Sequence, residues 1–205
     1  MNRLPRSPLL LEAATSALLV VDIQEKLLPL IPSRSTLVWN TRRLIDAASL
    51  LEVPVAATEQ YPKGLGPTVA ELAERLPPAE EKIFFSCAEC GGIFERWKEA
   101  GRFQIVVAGM ETHVCVQQTA LDLMAAGFDV FLCIDALGAR HALDHDTALR
   151  RLESSGATLT TCESVLFEWC ERAGTDVFRK VSQLVRESPP TATVEASGSD
   201  ERRSP

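Results

Sequence analysis

Five short apolar runs alternate with segments of helical periodicity, and this alternation limits the folds open to the chain more than any other feature. The runs occupy residues 17–23 (ALLVVDI), 53–58 (VPVAAT), 103–109 (FQIVVAG), 129–135 (DVFLCID) and 157–161 (ATLTT), with a weaker run at 81–86 (EKIFFS). Short and mostly apolar runs are typical of parallel strands that are buried on both faces. The alternation therefore predicts an α/β fold with a parallel sheet and helices on both faces.

The segments between these runs predict helices, and three of them end in glycine, a frequent residue just beyond a helix C-terminus. The predicted helices cover residues 33–52, 92–101, 112–127 and 142–156. Residues 188–205 are polar and rich in proline, serine and glycine, which predicts a disordered tail. We therefore divide the chain into an N-terminal arm (1–14), one folded domain (15–187) and this tail.

The charge of the chain argues against an affinity for nucleic acid or for an anionic membrane. Its 205 residues carry a formal net charge of −7, and no apolar run approaches the roughly 20 residues of a membrane-spanning helix. An N-terminal stretch that could pass for a signal peptide is interrupted by Glu12, so we expect a cytoplasmic protein. The cysteines of so long a chain do not suggest a disulfide framework and are expected to be reduced. They are Cys87, Cys90, Cys115, Cys133, Cys162 and Cys170.

Three reactive side chains fall at the carboxyl ends of predicted strands, where ligands bind in open parallel sheets. Asp22 ends the first strand, Lys82 lies in or beside the third, and Cys115 follows the fourth, in the first turn of a helix if Thr112 is its N-cap. A helix N-terminus and a neighbouring ammonium group both favour the thiolate, and Asp22 could accept the thiol proton. Spacing alone leaves open that Asp22 caps a turn, that Lys82 is solvated and that Cys115 is a buried core residue.

Three motifs resemble those of the isochorismatase-like cysteine hydrolases, and in particular the subgroup of isochorismatase-domain-containing proteins. They are VVDIQ at 20–24, the lysine of EKIFFS at 81–86, and GMETHVCV at 109–116. The resemblance covers about residues 15–186 and implies a Rossmann-like three-layer sandwich on a six-stranded parallel sheet. It also implies that Asp22, Lys82 and Cys115 form a catalytic triad.

The resemblance extends to the surroundings of the nucleophile. The main-chain N–H groups of Glu111 and Cys115 would form an oxyanion hole, next to a cis, non-proline peptide bond between Met110 and Glu111. Asp22 would deprotonate Cys115, and the thiolate, stabilised by Lys82, would attack a carbonyl and form a thioester.

The expected activity is metal-independent hydrolysis of a C–N bond in a small amide or ureido-type substrate, without a cofactor. Nicotinamidases of the same superfamily carry an Asp-x-His metal motif after the second strand, whereas this chain has TEQYP at 58–62 and no histidine nearby. Gln24, Tyr61 and Phe84 are expected near the crevice as substrate contacts. The resemblance further implies a homo-oligomer.

Two other functions stay open at this point. A non-catalytic interaction protein could retain the fold, and a thiol-redox protein could use Cys115 or the Cys87–Cys90 pair. His141 and His145 have the i, i+4 spacing of metal ligands, but the acidic residues around them suggest a solvated helix start. The presence of all three triad residues together favours the hydrolase.

Overall fold

A six-stranded sheet forms the centre of the fold in the computed structural model, which describes residues 4–190. The strands are β1 Ser16–Val21, β2 Val55–Gln60, β3 Glu80–Lys82, β4 Gln104–Met110, β5 Asp129–Gly138 and β6 Thr158–Thr160. They lie in the order β3-β2-β1-β4-β5-β6, and every neighbouring pair is parallel. The predicted fold class is therefore confirmed.

Helices cover both faces of this sheet. The described residues contain α1 Arg34–Leu50, α2 Pro62–Leu65, α3 Ala70–Ala73, α4 Gly91–Glu99, α5 Gln117–Ala125, α6 Ala142–Ser154, α7 Cys162–Cys170 and α8 Asp176–Val185. In β1, Leu18 and Val20 pack into the core shared with α1, α7 and α8, whereas Ala17, Leu19 and Val21 belong to the core beneath α4, α5 and α6. This alternation of side chains between two cores is what a strand buried on both faces requires.

The third strand is shorter than its apolar sequence predicts. The run at 81–86 predicts a strand, but β3 ends at Lys82, and Ile83, Phe84 and Phe85 are exposed beyond it. The Lys82 amine donates to the carbonyls of Phe84 and Phe85 at 3.4 and 3.1 Å. The strand is therefore confirmed only at residues 81–82, because the chain then turns back onto its own lysine, a contact that apolar composition does not reveal.

The helix predicted over 112–127 consists of two parts. A π-helical turn, Thr112–Val116, precedes α5, and the residue that caps this turn is Glu111. Thr112 is therefore not the N-cap: its hydroxyl lies 2.9 Å from Nδ1 of His145. Cys115 consequently lies inside the π-helical turn, just before the regular helix begins.

The N-terminal arm packs against the domain. Leu11 is fully buried, and its main-chain N–H donates to the carboxylate of Glu168 at 2.7 Å. The predicted disordered tail, 188–205, lies outside the described residues from 191 onward. Across residues 4–190, no helix has both the length and the apolar character needed to cross a membrane.

Candidate active site

The three residues of the predicted triad lie at the carboxyl edge of the sheet, around the point where the strand order reverses. This point lies between β1 and β4, the first and fourth strands of the chain. Asp22 directly follows β1, Lys82 is the last residue of β3, and Cys115 lies in the turn after β4. Because ligands of open α/β sheets bind in the crevice at such a reversal, this edge is the candidate active site.

A glycine lets β4 approach β1 closely beside this crevice. Gly109 pairs with Val21 and has a φ of +130°, a conformation that residues with a side chain rarely adopt. A Cβ atom at this position would lie only 2.1 Å from the carbonyl oxygen of Val21. The absence of a side chain at Gly109 therefore brings the turn that carries Cys115 next to Asp22.

Asp22 and Lys82 form a fully buried ion pair. The Lys82 Nζ lies 2.7 Å from Oδ2 of Asp22, and it also donates to Oε1 of Gln60 at 2.7 Å. Asp22 itself has a left-handed backbone, with a φ of +51°, a conformation that the surrounding structure must enforce in a residue with a side chain. Burial is the largest single influence and lowers the pKa of Lys82, but the charge of Asp22, the neighbouring Cys87 and Cys115, and the hydrogen bond to Asp22 together outweigh it, so the pKa is raised. Lys82 is therefore a permanent cation beside the Asp22 carboxylate.

Two residues of β2 that the sequence did not predict as site residues hold this ion pair in place. The Thr58 hydroxyl donates to Oδ1 of Asp22 at 2.8 Å. Gln60 donates through Nε2 to the carbonyl of Ile83 at 2.7 Å, which orients its Oε1 toward Lys82. Part of the signal was present in the sequence: Thr58 ends the predicted strand 53–58, and Gln60 lies two residues further on, which places it on the same face because β2 extends to Gln60.

Cys115 is almost fully buried, with 6% of its surface exposed, and it faces this ion pair. Burial raises the pKa of its thiol most, the charge of Asp22 and a hydrogen bond with that carboxylate raise it further, and Lys82 lowers it. The raising effects dominate. The thiol is therefore protonated in the resting state, next to a carboxylate that can accept its proton.

A second thiol, that of Cys87, lies in the same cluster. Its sulfur is 3.4 Å from the hydroxyl of Thr58, and its main-chain N–H donates to the hydroxyl of Thr119 at 2.8 Å. Burial and the charge of Asp22 raise the pKa of Cys87 to about 12, and burial raises that of Cys90 to about 11. Redox-active Cys-x-x-Cys pairs depend on a lowered thiol pKa, so this pair lacks the property that such chemistry needs.

Glu111 lies between the end of β4 and the turn that carries Cys115. The peptide bond between Met110 and Glu111 is cis. The Glu111 carbonyl accepts the N–H groups of Val114 and Val116 at 3.1 and 3.2 Å, which anchors the start of the π-helical turn. Glu111 and Cys115 are therefore the two ends of one tightly held main-chain segment.

The three expected substrate contacts, Tyr61, Phe84 and Gln24, differ in their exposure to solvent. Tyr61 is 54% exposed and lines a cavity of about 270 Å³ that also reaches Lys82. Phe84 is 64% exposed on the segment that follows β3. Gln24 is fully buried, and its amide pairs with the main chain of Gln60 and with the carbonyl of Gly66. That placement argues against direct contact between Gln24 and a substrate, and it indicates a bracing role between the loops that follow β1 and β2.

The histidines near the site make side-chain contacts of their own. His145 contacts the Thr112 hydroxyl, and burial lowers its pKa. The Nε2 atom of His113 lies 3.9 Å from the carboxylate of Asp144.

Residues 4–190 contain no group of three or more side chains placed to hold a metal ion. The position of the nicotinamidase metal motif is filled by Glu59, which accepts the N–H and hydroxyl of Thr68 at 2.6 and 2.7 Å.

Comparison with known proteins assigns the family. The profile of the isochorismatase domain matches residues 16–164. This chain belongs to the isochorismatase domain family. Membership supports a hydrolase, and it confirms the resemblance seen in the motifs around Asp22, Lys82 and Cys115.

Two animal relatives of this isochorismatase-family protein match most of its length. Isochorismatase domain-containing protein 2 of Danio rerio is 38% identical over 177 residues, which cover 85% of this chain and 89% of the relative. Isochorismatase domain-containing protein 1 of the same species is 36% identical over 185 residues, or 88% of this chain. The match spans only 64% of that second relative's own length.

Solved structures of three relatives share the fold. The MAR1 ribonuclease of Caenorhabditis elegans is 35% identical, with a TM-score of 0.82 over 92% of this chain and 98% of the other. YcaC from Pseudomonas aeruginosa, solved with covalent acrylamide, is 26% identical, with a TM-score of 0.76 over 88% and 93% of the two chains. The Escherichia coli YcaC product, described as an octameric hydrolase of unknown specificity, is 27% identical, with a TM-score of 0.77 over 88% and 91%.

Proposed function

We propose that this isochorismatase-family protein is a metal-independent cysteine hydrolase that cleaves a C–N bond of a small amide or ureido-type substrate. Asp22 takes the proton of Cys115, and the thiolate attacks the substrate carbonyl. The N–H groups of Glu111 and Cys115 hold the oxyanion of the tetrahedral intermediate. Asp22 returns the proton to the leaving amine, and water then hydrolyses the thioester with Asp22 again as the base.

The observation that carries this proposal is the buried Asp22–Lys82 ion pair facing a buried thiol. A buried ion pair contributes little to stability, because the free energy of removing two charges from water offsets their attraction. Charged groups held in this way are characteristic of functional sites. Lys82 pairs with the Asp22 carboxylate at 2.7 Å beside the thiol of Cys115, which is the arrangement that a general base needs.

The protonated state of the resting thiol determines the order of events. Because burial and Asp22 raise the pKa of Cys115, a free thiolate is not present before the substrate arrives. Proton transfer to Asp22 therefore accompanies the attack on the carbonyl. The adjacent positive charge of Lys82 stabilises the sulfur as the negative charge leaves Asp22.

The polar groups at the position of the nicotinamidase metal motif support a reaction that needs no metal. Glu59 and Gln60, at the position of the nicotinamidase metal motif, are already engaged by Thr68 and Lys82. The covalent acrylamide in the Pseudomonas aeruginosa relative supports a reactive nucleophile on this fold.

Intact mass spectrometry tests the proposal. Wild type is incubated with a panel of small amides and carbamoyl compounds beside Cys115→Ala and Cys170→Ala, the latter removing a thiol at the end of α7. We expect an acyl adduct in wild type and Cys170→Ala and none in Cys115→Ala. An adduct that persists in Cys115→Ala contradicts the proposal. The absence of both adduct and turnover in wild type would favour the non-catalytic interaction protein, whereas turnover that is unchanged in Cys115→Ala would indicate another chemistry.

Ribonuclease activity is a second candidate, because the Caenorhabditis elegans relative carries that name. RNA-binding surfaces are usually basic, whereas this chain has a net charge of −7. We therefore rank RNA cleavage below amide hydrolysis. Cleavage of a labelled single-stranded RNA by wild type but not by Cys115→Ala would reverse this ranking.

We also propose that the protein is a homo-oligomer, since the Escherichia coli relative is an octamer. The exposed Ile83, Phe84 and Phe85 beside the site are apolar surface that an interface could cover. Light scattering after size exclusion should give a mass that is a multiple of 22.4 kDa. A mass of a single chain would contradict this proposal without affecting the chemistry of the triad.

A further inference from the structure

The Arg140 side chain holds Glu111 through a two-pronged ion pair at the carboxyl edge of the sheet. Nε of Arg140 lies 2.8 Å from Oε1 of Glu111, and Nη2 lies 3.2 Å from Oε2. The main-chain N–H of Arg140 also donates to Oε1 at 3.2 Å. We call these three hydrogen bonds the Arg140–Glu111 clamp.

The clamp begins where the pairing of two strands ends. Met110 and Gly138 form the last pair between β4 and β5, and Glu111 and Arg140 follow them in the chain. The Glu111 side chain is 9% exposed, whereas that of Arg140 is 47% exposed. Burial alone would raise the pKa of Glu111, but the hydrogen bonds from Arg140 lower it, so the carboxylate stays charged. A planar guanidinium fork fixes the orientation of a carboxylate in a way that a single ammonium cannot.

Glu111 is thus held at two points. Arg140 fixes its side chain, and its carbonyl accepts the N–H groups of Val114 and Val116 in the turn that carries Cys115. With these two points fixed, the main chain of Glu111 has little freedom to rotate. The direction of its N–H is therefore set by the clamp together with the π-helical turn.

We propose that Arg140 is a positioning residue that acts through Glu111 to hold the Glu111 N–H in place for the oxyanion. This inference rests on the proposed function, because it assigns that N–H to the oxyanion hole. Two nitrogens of the Arg140 guanidinium are already engaged by Glu111, so the role of Arg140 is to orient Glu111 and not to neutralise an anionic substrate.

Two reactions of the Cys115 sulfur distinguish a loss of Glu111 positioning from a general disruption of the site. Acylation by p-nitrophenyl acetate passes through an oxyanion, whereas alkylation by iodoacetamide is a direct displacement and needs no oxyanion hole. Both reagents are neutral, so a loss of attraction for an anionic substrate does not enter either rate. Rates are taken as the difference between each protein and its Cys115→Ala counterpart.

We expect Arg140→Ala to lower the acylation rate by about 10- to 100-fold, less than the roughly 10²–10³-fold loss when an oxyanion donor is removed outright. The alkylation rate of Cys115 should stay unchanged, and deuterium exchange of the peptide 109–116 should become faster. Arg140→Lys should recover only part of the acylation rate. Arg150→Ala, an exposed arginine on α6, is the matched control and should behave as wild type in all three measurements.

Two results overturn the inference: an Arg140→Ala variant that acylates as fast as wild type, or one that loses acylation and alkylation equally. If wild type itself shows no acylation that depends on Cys115, the proposed function has failed. The clamp is then judged by deuterium exchange. Faster exchange of 109–116 in Arg140→Ala, but not in Arg150→Ala, supports positioning of Glu111, and unchanged exchange refutes it.

Discussion

The Asp22 side chain contacts several other groups of the candidate site. One carboxylate oxygen accepts the Thr58 hydroxyl, and the other pairs with Lys82 at 2.7 Å, while Cys115 shares a hydrogen bond with the same group. The carboxylate raises the pKa of the resting thiol, and in the proposed mechanism it accepts the proton of that thiol during reaction. The first effect slows alkylation of the Cys115 sulfur, whereas the second promotes acyl transfer at the same sulfur. A substitution of Asp22 should therefore change the two rates in opposite directions.

Replacing Asp22 by asparagine should speed the alkylation of Cys115 and slow its acyl transfer. Because the charge of Asp22 raises the pKa of Cys115, Asp22→Asn should shift the pH profile of iodoacetamide alkylation, followed across about pH 6–11, toward lower pH. Acyl transfer should fall by about 10²-fold or more, since the general base is lost. Lys82→Met should shift the alkylation profile the opposite way, because Lys82 lowers the pKa of the thiol.

Mass spectrometry of the modified protein gives both rates, and circular dichroism checks that each variant is folded. Asp129→Asn, at the exposed amino end of β5, is the matched control and should change neither profile. An Asp22→Asn variant whose alkylation profile moves toward higher pH would show that the carboxylate does not raise the pKa of Cys115.

At the scale of the elements, the site depends on how closely β4 approaches β1. Gly109→Ala places a Cβ atom 2.1 Å from the main chain of β1, where no flexible side chain can yield. We expect the free energy of unfolding to fall by about 3 kcal/mol or more, and the acylation rate to fall with it, because the turn carrying Cys115 moves away from Asp22. Urea denaturation measures the first quantity and burst kinetics the second.

Gly101→Ala is the control for this prediction. Gly101 also has a positive φ, +71°, but a Cβ atom there would have no neighbour within 4 Å. Its alanine variant should lose only the roughly 1–2 kcal/mol of a left-handed backbone and keep its acylation rate. Equal losses in the two variants would mean that strand approach at Gly109 is not the cause.

At the scale of the whole molecule, the buried thiols should make the protein less stable in alkali. The pKa values of Cys87 and Cys162 are raised to about 12 and that of Cys90 to about 11, chiefly by burial. The unfolded chain loses these protons near the ordinary cysteine pKa of about 8.5, whereas the folded protein keeps them. The stability is thus fully present below about pH 8.5 and is lost as the pH rises toward 11–12.

The expected loss between about pH 8 and pH 10 is up to about 2 kcal/mol for each such thiol. Urea midpoints at the two pH values measure it under reducing conditions. Cys162→Ala should reduce the difference between the midpoints, whereas Cys170→Ala, at a less buried position at the end of α7, should retain it. Equal stability of wild type at the two pH values would contradict the prediction.

The sequence by itself determined the layers of the fold. Apolar runs alternating with helical periodicity are a local property, and strands buried on both faces favour a parallel sheet between helices. Strand ends placed Asp22, Lys82 and Cys115 at one edge of the sheet, and the resemblance of the motifs around them made them candidates for catalysis. Thr58 ends the predicted strand, whereas Gln60 lies two residues beyond it and joins the site only because β2 extends to Gln60.

Only the tertiary structure decided what these residues touch. Some contacts join segments that are far apart in the sequence: His145 contacts Thr112, and Arg140 clamps Glu111. Others depend on the direction of a side chain or of the local chain, as in the burial of Gln24 and the turn after Lys82. The charge state of Cys115 belongs to the same class, because it reflects the balance of burial, a carboxylate and an ammonium group around one sulfur. A sequence records the chemical groups, whereas their pKa values and hydrogen bonds depend on distances that exist only once the chain has folded.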